Sequence, residues 1–166
     1  MDIKSSPPIA ILLILIGLGG LLFITYDSPG YMKPFYGSDL KTGFQSNGEQ
    51  IYYTGYNDRG ERIKPMEGPA WLYMHGGSCV DCHGVNGRGG VPVMMATEIP
   101  TDITYASLSS EAGHGEEEHP PYTNETIKIA IREGVDPAGN PLDPTMPRWQ
   151  MSDRDLEDLL AYLKTL

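Results

Sequence analysis

Only two cysteines occur among the 166 residues, at positions 79 and 82, and a histidine follows the second directly. This spacing limits the chain more than any other feature. Two thiols three positions apart cannot staple distant segments into a disulfide scaffold, and they are too few for a four-thiolate zinc site. Cys79-Val80-Asp81-Cys82-His83 is the C-x-x-C-H pentapeptide, in which two thiols add across the vinyl groups of haem and the adjacent imidazole becomes an iron ligand. Two thioether bonds pin one edge of the porphyrin to a single turn of chain, which leaves the next residue's ring beneath the iron. The pentapeptide alone leaves other chemistry open, since C-x-x-C also serves thiol redox and zinc sites.

The N-terminus narrows the choice. No charged residue lies between Ser5 and Tyr26, and Ile9 to Phe23 is apolar throughout, with no polar face. At about 1.5 Å per residue, Ile9 to Tyr26 reaches about 27 Å, near the thickness of a bilayer's hydrocarbon core. A helix over about 7–26 is expected to cross the membrane once, begun by Pro7 and Pro8 and left at Tyr26, Asp27 and the Ser28-Pro29-Gly30 turn. A cleaved secretory signal is the competing reading, but bulky Phe23, Ile24 and Tyr26 replace the small residues that cleavage needs. Either way the chain after Asp27 is exported, to the side of the membrane on which haem is joined through thioethers.

Charge excludes one broad class. With 12 Lys and Arg against 22 Asp and Glu the formal charge is -10, which repels a phosphate backbone, so nucleic acid is not an expected partner. Residues 27–47 are rich in Gly, Pro, Ser, Tyr and Asn without apolar periodicity and are expected to be a tether between the anchor, 1–26, and an exported domain, 48–166. Within that domain, Gln50–Thr54 and Glu61–Lys64 flank the turn-rich Asn57-Asp58-Arg59-Gly60, which predicts a small β-hairpin.

Three blocks, in order, resemble the class I c-type cytochromes in their membrane-anchored monohaem form. Cys79 through Gly90 looks like the family's haem-binding run followed by a glycine-rich loop. Pro141 through Met151 carries Met146-Pro147, similar to the loop that supplies the second axial ligand. Ser152 to Leu166 looks like the C-terminal helix. The resemblance covers about 68–166 and implies a mainly α, class I cytochrome c-like helical haem domain. It further implies one haem c, joined through Cys79 and Cys82, with His83 and Met146 as axial ligands of the iron.

The residues carry reasons of their own. Pro147 fixes the backbone after Met146, and Asp136 to Pro141 is too rich in Pro and Gly for a helix, so the methionine sits on a loop that can aim it. A thioether favours ferrous iron, and His/Met ligation suits a reversible one-electron carrier. Met151 is the nearest competitor, ahead of Met94 and Met95; the alternative for Met146 is a gap-filler in the core. Ser152 and Asp155 cap the last helix, whose Leu156, Leu159, Leu160 and Leu163 form one apolar stripe. The stripe is expected to pack on a helix starting at Gly68 to Met74, although Gly76 and Gly77 interrupt it. A further helix is predicted over Asn124–Glu133, after Thr123 and stopped by Gly134.

Other side chains bear on the site. Trp149 and Tyr162 suit core packing better than a haem wall, Arg148 suits a propionate partner or a solvated surface, and His75 stands too close to the pentapeptide to reach the iron's far side. His114 and His119 bracket Glu116, Glu117 and Glu118, a set that could hold a second metal or, more plainly, an exposed acidic loop that docks a basic partner. No nucleophile–base pair or phosphate loop argues for catalysis by this chain.

The leading expectation is therefore a one-electron carrier, not an enzyme, on the cytoplasmic (inner) membrane, with its haem domain on the periplasmic or extracellular side. It would work in a respiratory or related chain, beside membrane lipid, between a quinol-oxidising complex or other donor and a terminal oxidase or reductase. A cytochrome subunit of an exported oxidoreductase is the second expectation, and a haem-based gas sensor with an open iron position the third.

Overall fold

In the computed structural model, Ser46 and Gly55 delimit the first helix among the described residues, α1 (Asn47–Thr54). The Ser46 side chain accepts the Glu49 amide, and Gly55 ends the helix in the left-handed region, at φ 69°. The Glu49 carboxylate reaches back to the Gln45 amide at 2.6 Å, so two amides at the helix entrance are satisfied by side chains. The structure describes residues 43–92, 98–111 and 119–166. The expected membrane-crossing helix and most of the expected tether lie outside them, and among the described residues no helix is long and apolar enough to cross a membrane.

The predicted hairpin is corrected here. Gln50–Thr54 is the second half of α1, because the capping residues and the burial of Ile51 and Tyr52 outweigh the β-tolerance of the run. The turn itself exists: the Gly60 amide donates to the Asn57 carbonyl at 2.9 Å, and Tyr56 bridges Arg62. The following strand, β1 (Lys64–Pro65), finds its partner elsewhere. It pairs antiparallel with β2 (Trp149–Gln150), Lys64 opposite Gln150 and Pro65 opposite Trp149.

Between the strands run α2 (Ala70–His75), α3 (Val80–His83), α4 (Tyr105–Leu108) and α5 (Asn124–Glu133); α6 (Asp153–Leu163) closes the chain. The α5 bounds match the expectation. Thr123 and Thr126 exchange side-chain-to-amide bonds as a capping box, and Gly134 stops the helix at φ 66°. Ser152 caps α6 by accepting the Asp155 amide, as its position predicts.

The leucine stripe of α6 packs most extensively on α1, not on α2 as expected. Ile51, Tyr52, Leu156 and Leu159 are each at most 2% exposed, and each apolar side chain so buried contributes about 1.5–3 kcal/mol. The crossing is close because Gly48 has no side chain: a Cβ there would stand 1.8 Å from the Asp158 carbonyl oxygen. The short α2 contributes Leu72 to the core instead and lies against β1. The described residues are thus mainly helical with one two-stranded sheet, and the helices surround an apolar cleft.

Candidate functional site

The pentapeptide forms one tight turn of helix, α3. Before it, the Asp81 carboxylate accepts the Ser78 amide at 2.7 Å and the Ser78 hydroxyl at 3.0 Å; after it, Gly84 leaves the helix at φ 73°. Tyr52 on α1 donates its buried hydroxyl to the Gly84 carbonyl at 2.6 Å, and Tyr53 donates to Val85 at 3.0 Å, so the pentapeptide is fastened to the α1–α6 pair from behind. Burial pushes the Tyr52 hydroxyl far above the ordinary phenol range, which keeps it a donor.

Cys79 and Cys82 are both free thiols, not joined to each other. Burial, reinforced by the neighbouring Cys82 and Asp81, pushes the Cys79 thiol up to about 12, and burial with Asp81 pushes Cys82 to about 11. Thiol redox sites work by lowering these values, so the environment argues against that chemistry.

His83 is 7% exposed, and burial lowers the pKa of its ring, which favours the neutral imidazole. Its Nδ1 lies 2.9 Å from the Thr101 carbonyl oxygen. A carbonyl can only accept, so Nδ1 carries the hydrogen and Nε2 keeps a lone pair available to a metal.

The opposite wall is the loop from α5 to β2. Asp136 Oδ1 accepts the Ala138 and Asn140 amides, each at 2.8 Å, and its Oδ2 accepts the Asn140 side chain at 2.9 Å. Asp143 repeats the device, with its Oδ1 accepting the Thr145 amide at 2.8 Å and its carbonyl accepting the Met146 amide at 3.0 Å. Pro147 and the β1–β2 pairing then fix the chain beyond Met146.

Between these walls lies a cleft of about 730 Å³, within the range for buried ligands, lined by Cys79, Cys82, His83 and Met146. Apolar side chains from five elements complete it: Leu72 of α2, Leu108 of α4, Ile127, Ala130 and Ile131 of α5, Trp149 of β2, and Leu159 and Leu163 of α6. All four residues predicted to hold haem therefore open onto one space. Their donor set fits the group: two unpaired thiols, a neutral imidazole with a free ring nitrogen, and a thioether facing an apolar cavity large enough for a macrocycle.

Other sequence expectations are placed differently. His114 lies outside the described residues. His119 lines the cleft, its Nδ1 2.9 Å from the Pro120 carbonyl oxygen and its ring 5.1 Å edge-on from Tyr122; among the described residues no group of three or more His, Cys, Asp or Glu side chains could hold a metal. Tyr162 packs against Tyr52 and Tyr53 at ring distances of 5.2 and 6.3 Å, whereas Trp149 both packs and faces the cleft. Arg148 is neither on the surface nor among the residues lining the cleft; it is buried among backbone carbonyls.

The cytochrome c family model matches residues 46–166, well over half of the chain. The chain belongs to the cytochrome c family. It is a class I c-type cytochrome, a domain typical of haem-based electron transfer, and its haem c is covalently attached through Cys79 and Cys82. No curated protein and no solved structure matches the cytochrome.

Sequence reasoning missed two supports of this cytochrome's cleft and misplaced a third. The leading helix α1 was signalled by Ser46, Glu49 and Gly55, which form a cap, a first-turn acid and a stop. The Thr101 carbonyl left no signal, because every residue has one. Arg148, weighed as a propionate partner or a surface charge, carried a signal for burial in its place between Pro147 and Trp149, in a run otherwise bound for the core.

Proposed function

We propose that the cytochrome is a membrane-tethered one-electron carrier whose iron is held by His83 and Met146. It would receive electrons from a membrane-bound quinol-oxidising complex or another donor and pass them to a terminal oxidase or reductase. The observation that carries the reading is the convergence of Cys79, Cys82, His83 and Met146 on one apolar cleft. When bound, haem supplies one reversible electron at iron. The chain's own residues set the conditions for that exchange. His83, oriented by Thr101, would supply one ligand to the iron, and the Met146 thioether, which favours the reduced state, would supply the other.

The apolar walls lower the dielectric around the group, which disfavours the extra positive charge of ferric iron and would raise the potential further. With His83 and Met146 both given to the iron, no ligand position would be left open to a substrate, which supports a carrier rather than an enzyme. The uncharged run Ile9–Phe23 supports the tether: anchoring confines the domain to the membrane plane and raises its effective concentration near membrane-bound partners.

The test is a spectroelectrochemical titration of the full-length protein, with a parallel extraction of the membranes that contain it. A single reversible one-electron transition, in a protein released by detergent but not by high salt or alkali, is the expected result. A multi-electron or irreversible transition would overturn the carrier, and release by salt would overturn the tether.

A further inference from the structure

Arg148 is the most unusually placed charge in the described structure. Its side chain is 9% exposed, and its guanidinium is spent almost wholly on main-chain oxygens. Nη2 donates to the Gly134 carbonyl at 3.2 Å and to Leu142 at 3.0 Å, while Nη1 donates to Asp143 at 3.3 Å and to the carbonyl of Met146 itself. Three of the four acceptors belong to the loop that carries Met146, and the fourth is the last turn of α5. Only a planar cation with several diverging donors can bridge carbonyls in this way.

The fold makes room for this. At Gly134 a Cβ would stand 1.8 Å from Arg148 Nε and 1.9 Å from its Cζ, so the glycine that stops α5 also opens the channel the guanidinium occupies. The Gly134 carbonyl accepts the Leu142 amide at 2.8 Å as well, joining the same two segments a second time. Nε has no hydrogen-bond partner and sits 3.6 Å from Glu67 Oε2, which supplies a counter-charge at the protein's edge. On the other side, the Arg148 carbonyl accepts the Met66 amide at 2.6 Å, which anchors the backbone from which the side chain reaches back.

We propose that Arg148, admitted by Gly134, is the positioning residue for Met146, and that it holds the thioether on the iron by fixing the carbonyls of 142, 143 and 146 against the end of α5. The inference rests on the reading of Met146 as the second axial ligand. A thioether is a weak ligand, so its residence on iron depends on how little the loop can move away. Four charge-assisted bonds to main-chain oxygens restrain that movement without touching haem.

The test uses the haem-loaded full-length protein with Arg148→Gln, Arg148→Lys and Gly134→Ala, beside wild type and Met146→Ala. Three readouts are followed: carbon monoxide binding by the reduced form, the ferric iron–thioether charge-transfer band, and far-ultraviolet circular dichroism. Expected is a helical fold in all, wild type indifferent to the gas and Met146→Ala open to it. The three clamp variants should bind the gas about tenfold faster than wild type or more, the scale of losing one hydrogen bond to a charged group, with a weakened band. Lysine should not rescue, because one nitrogen cannot span the four carbonyls.

If Met146→Ala opens the iron while the clamp variants keep the band and stay indifferent, the positioning role is wrong and the ligation reading stands. If wild type itself binds the gas, the ligation reading has failed and this inference with it. If all three clamp variants fail to fold, Arg148 is a folding residue and the positioning role is likewise overturned.

Discussion

His83 Nδ1 and the carbonyl oxygen of Thr101 are 2.9 Å apart, and that one bond settles which ring nitrogen faces the cleft. Because the acceptor is main chain, the Thr101 side chain is dispensable, and Thr101→Ala should leave the reduction potential unchanged. Gly89 is not dispensable. A Cβ there would stand 2.1 Å from the Pro100 carbonyl oxygen and 2.6 Å from that of Thr101, so Gly89→Ala should push the acceptor segment away. The imidazole would become a weaker donor to iron, and the potential should rise by about 30 mV, roughly half of a tenfold change in a one-electron equilibrium. Spectroelectrochemical titration of the two variants decides it; equal potentials would contradict the role of the bond.

The crossing of α1 and α6 depends on Gly48. Gly48→Ala places a methyl 1.8 Å from the Asp158 carbonyl oxygen, against backbone that has no rotamer to give. Overpacking here should destabilise the domain by about 3 kcal/mol, measured by denaturant unfolding of the haem-loaded protein. A variant within about 0.5 kcal/mol of wild type, the range of ordinary surface substitutions, would show that the helices are not in contact as described.

Acid stability should turn on Asp155, which is 2% exposed. Burial works to raise its pKa, but hydrogen bonds from Ser152, Asn47 and Asn57, with the charge of Arg59, outweigh it and hold the carboxyl at about 2. The folded value lies below the usual 3.8, so the stabilisation is present above about pH 4 and is lost as the pH falls toward 2. Its size is roughly 2 kcal/mol. Asp155→Asn should cost about that much at pH 7 and flatten the loss of stability between pH 4 and 2, read from unfolding midpoints across the range. An unchanged acid slope would contradict the assignment.

The parts of the fold legible in the sequence were those fixed by local chemistry. Thr123 with Gly134, and Ser152 with the leucine stripe, define α5 and α6 because caps and periodicity act within a few residues. The pentapeptide was legible because covalent attachment demands its spacing. What stayed hidden was non-local. The α6 stripe could not say whether its partner lay at 47–54 or at 70–75, and β1 could not announce that its partner lay at 149–150, far along the chain. Gln50–Thr54 misled because its tyrosines and threonine suit a strand, until Ile51 and Tyr52 are seen to be buried against α6. Arg148 invites a propionate partner or a solvated surface, whereas here main-chain carbonyls from the Met146 loop and the end of α5 are gathered to receive it.

The central proposal is that Met146 would supply the second ligand to the iron beside His83. The most direct measurement is the visible spectrum of the reduced, detergent-solubilised protein, before and after carbon monoxide, in wild type and Met146→Ala. The account predicts that wild type is unmoved by the gas and that Met146→Ala shifts to a carbon monoxide adduct. A wild-type protein that binds the gas at once, or a Met146→Ala variant as indifferent as its parent, would contradict it.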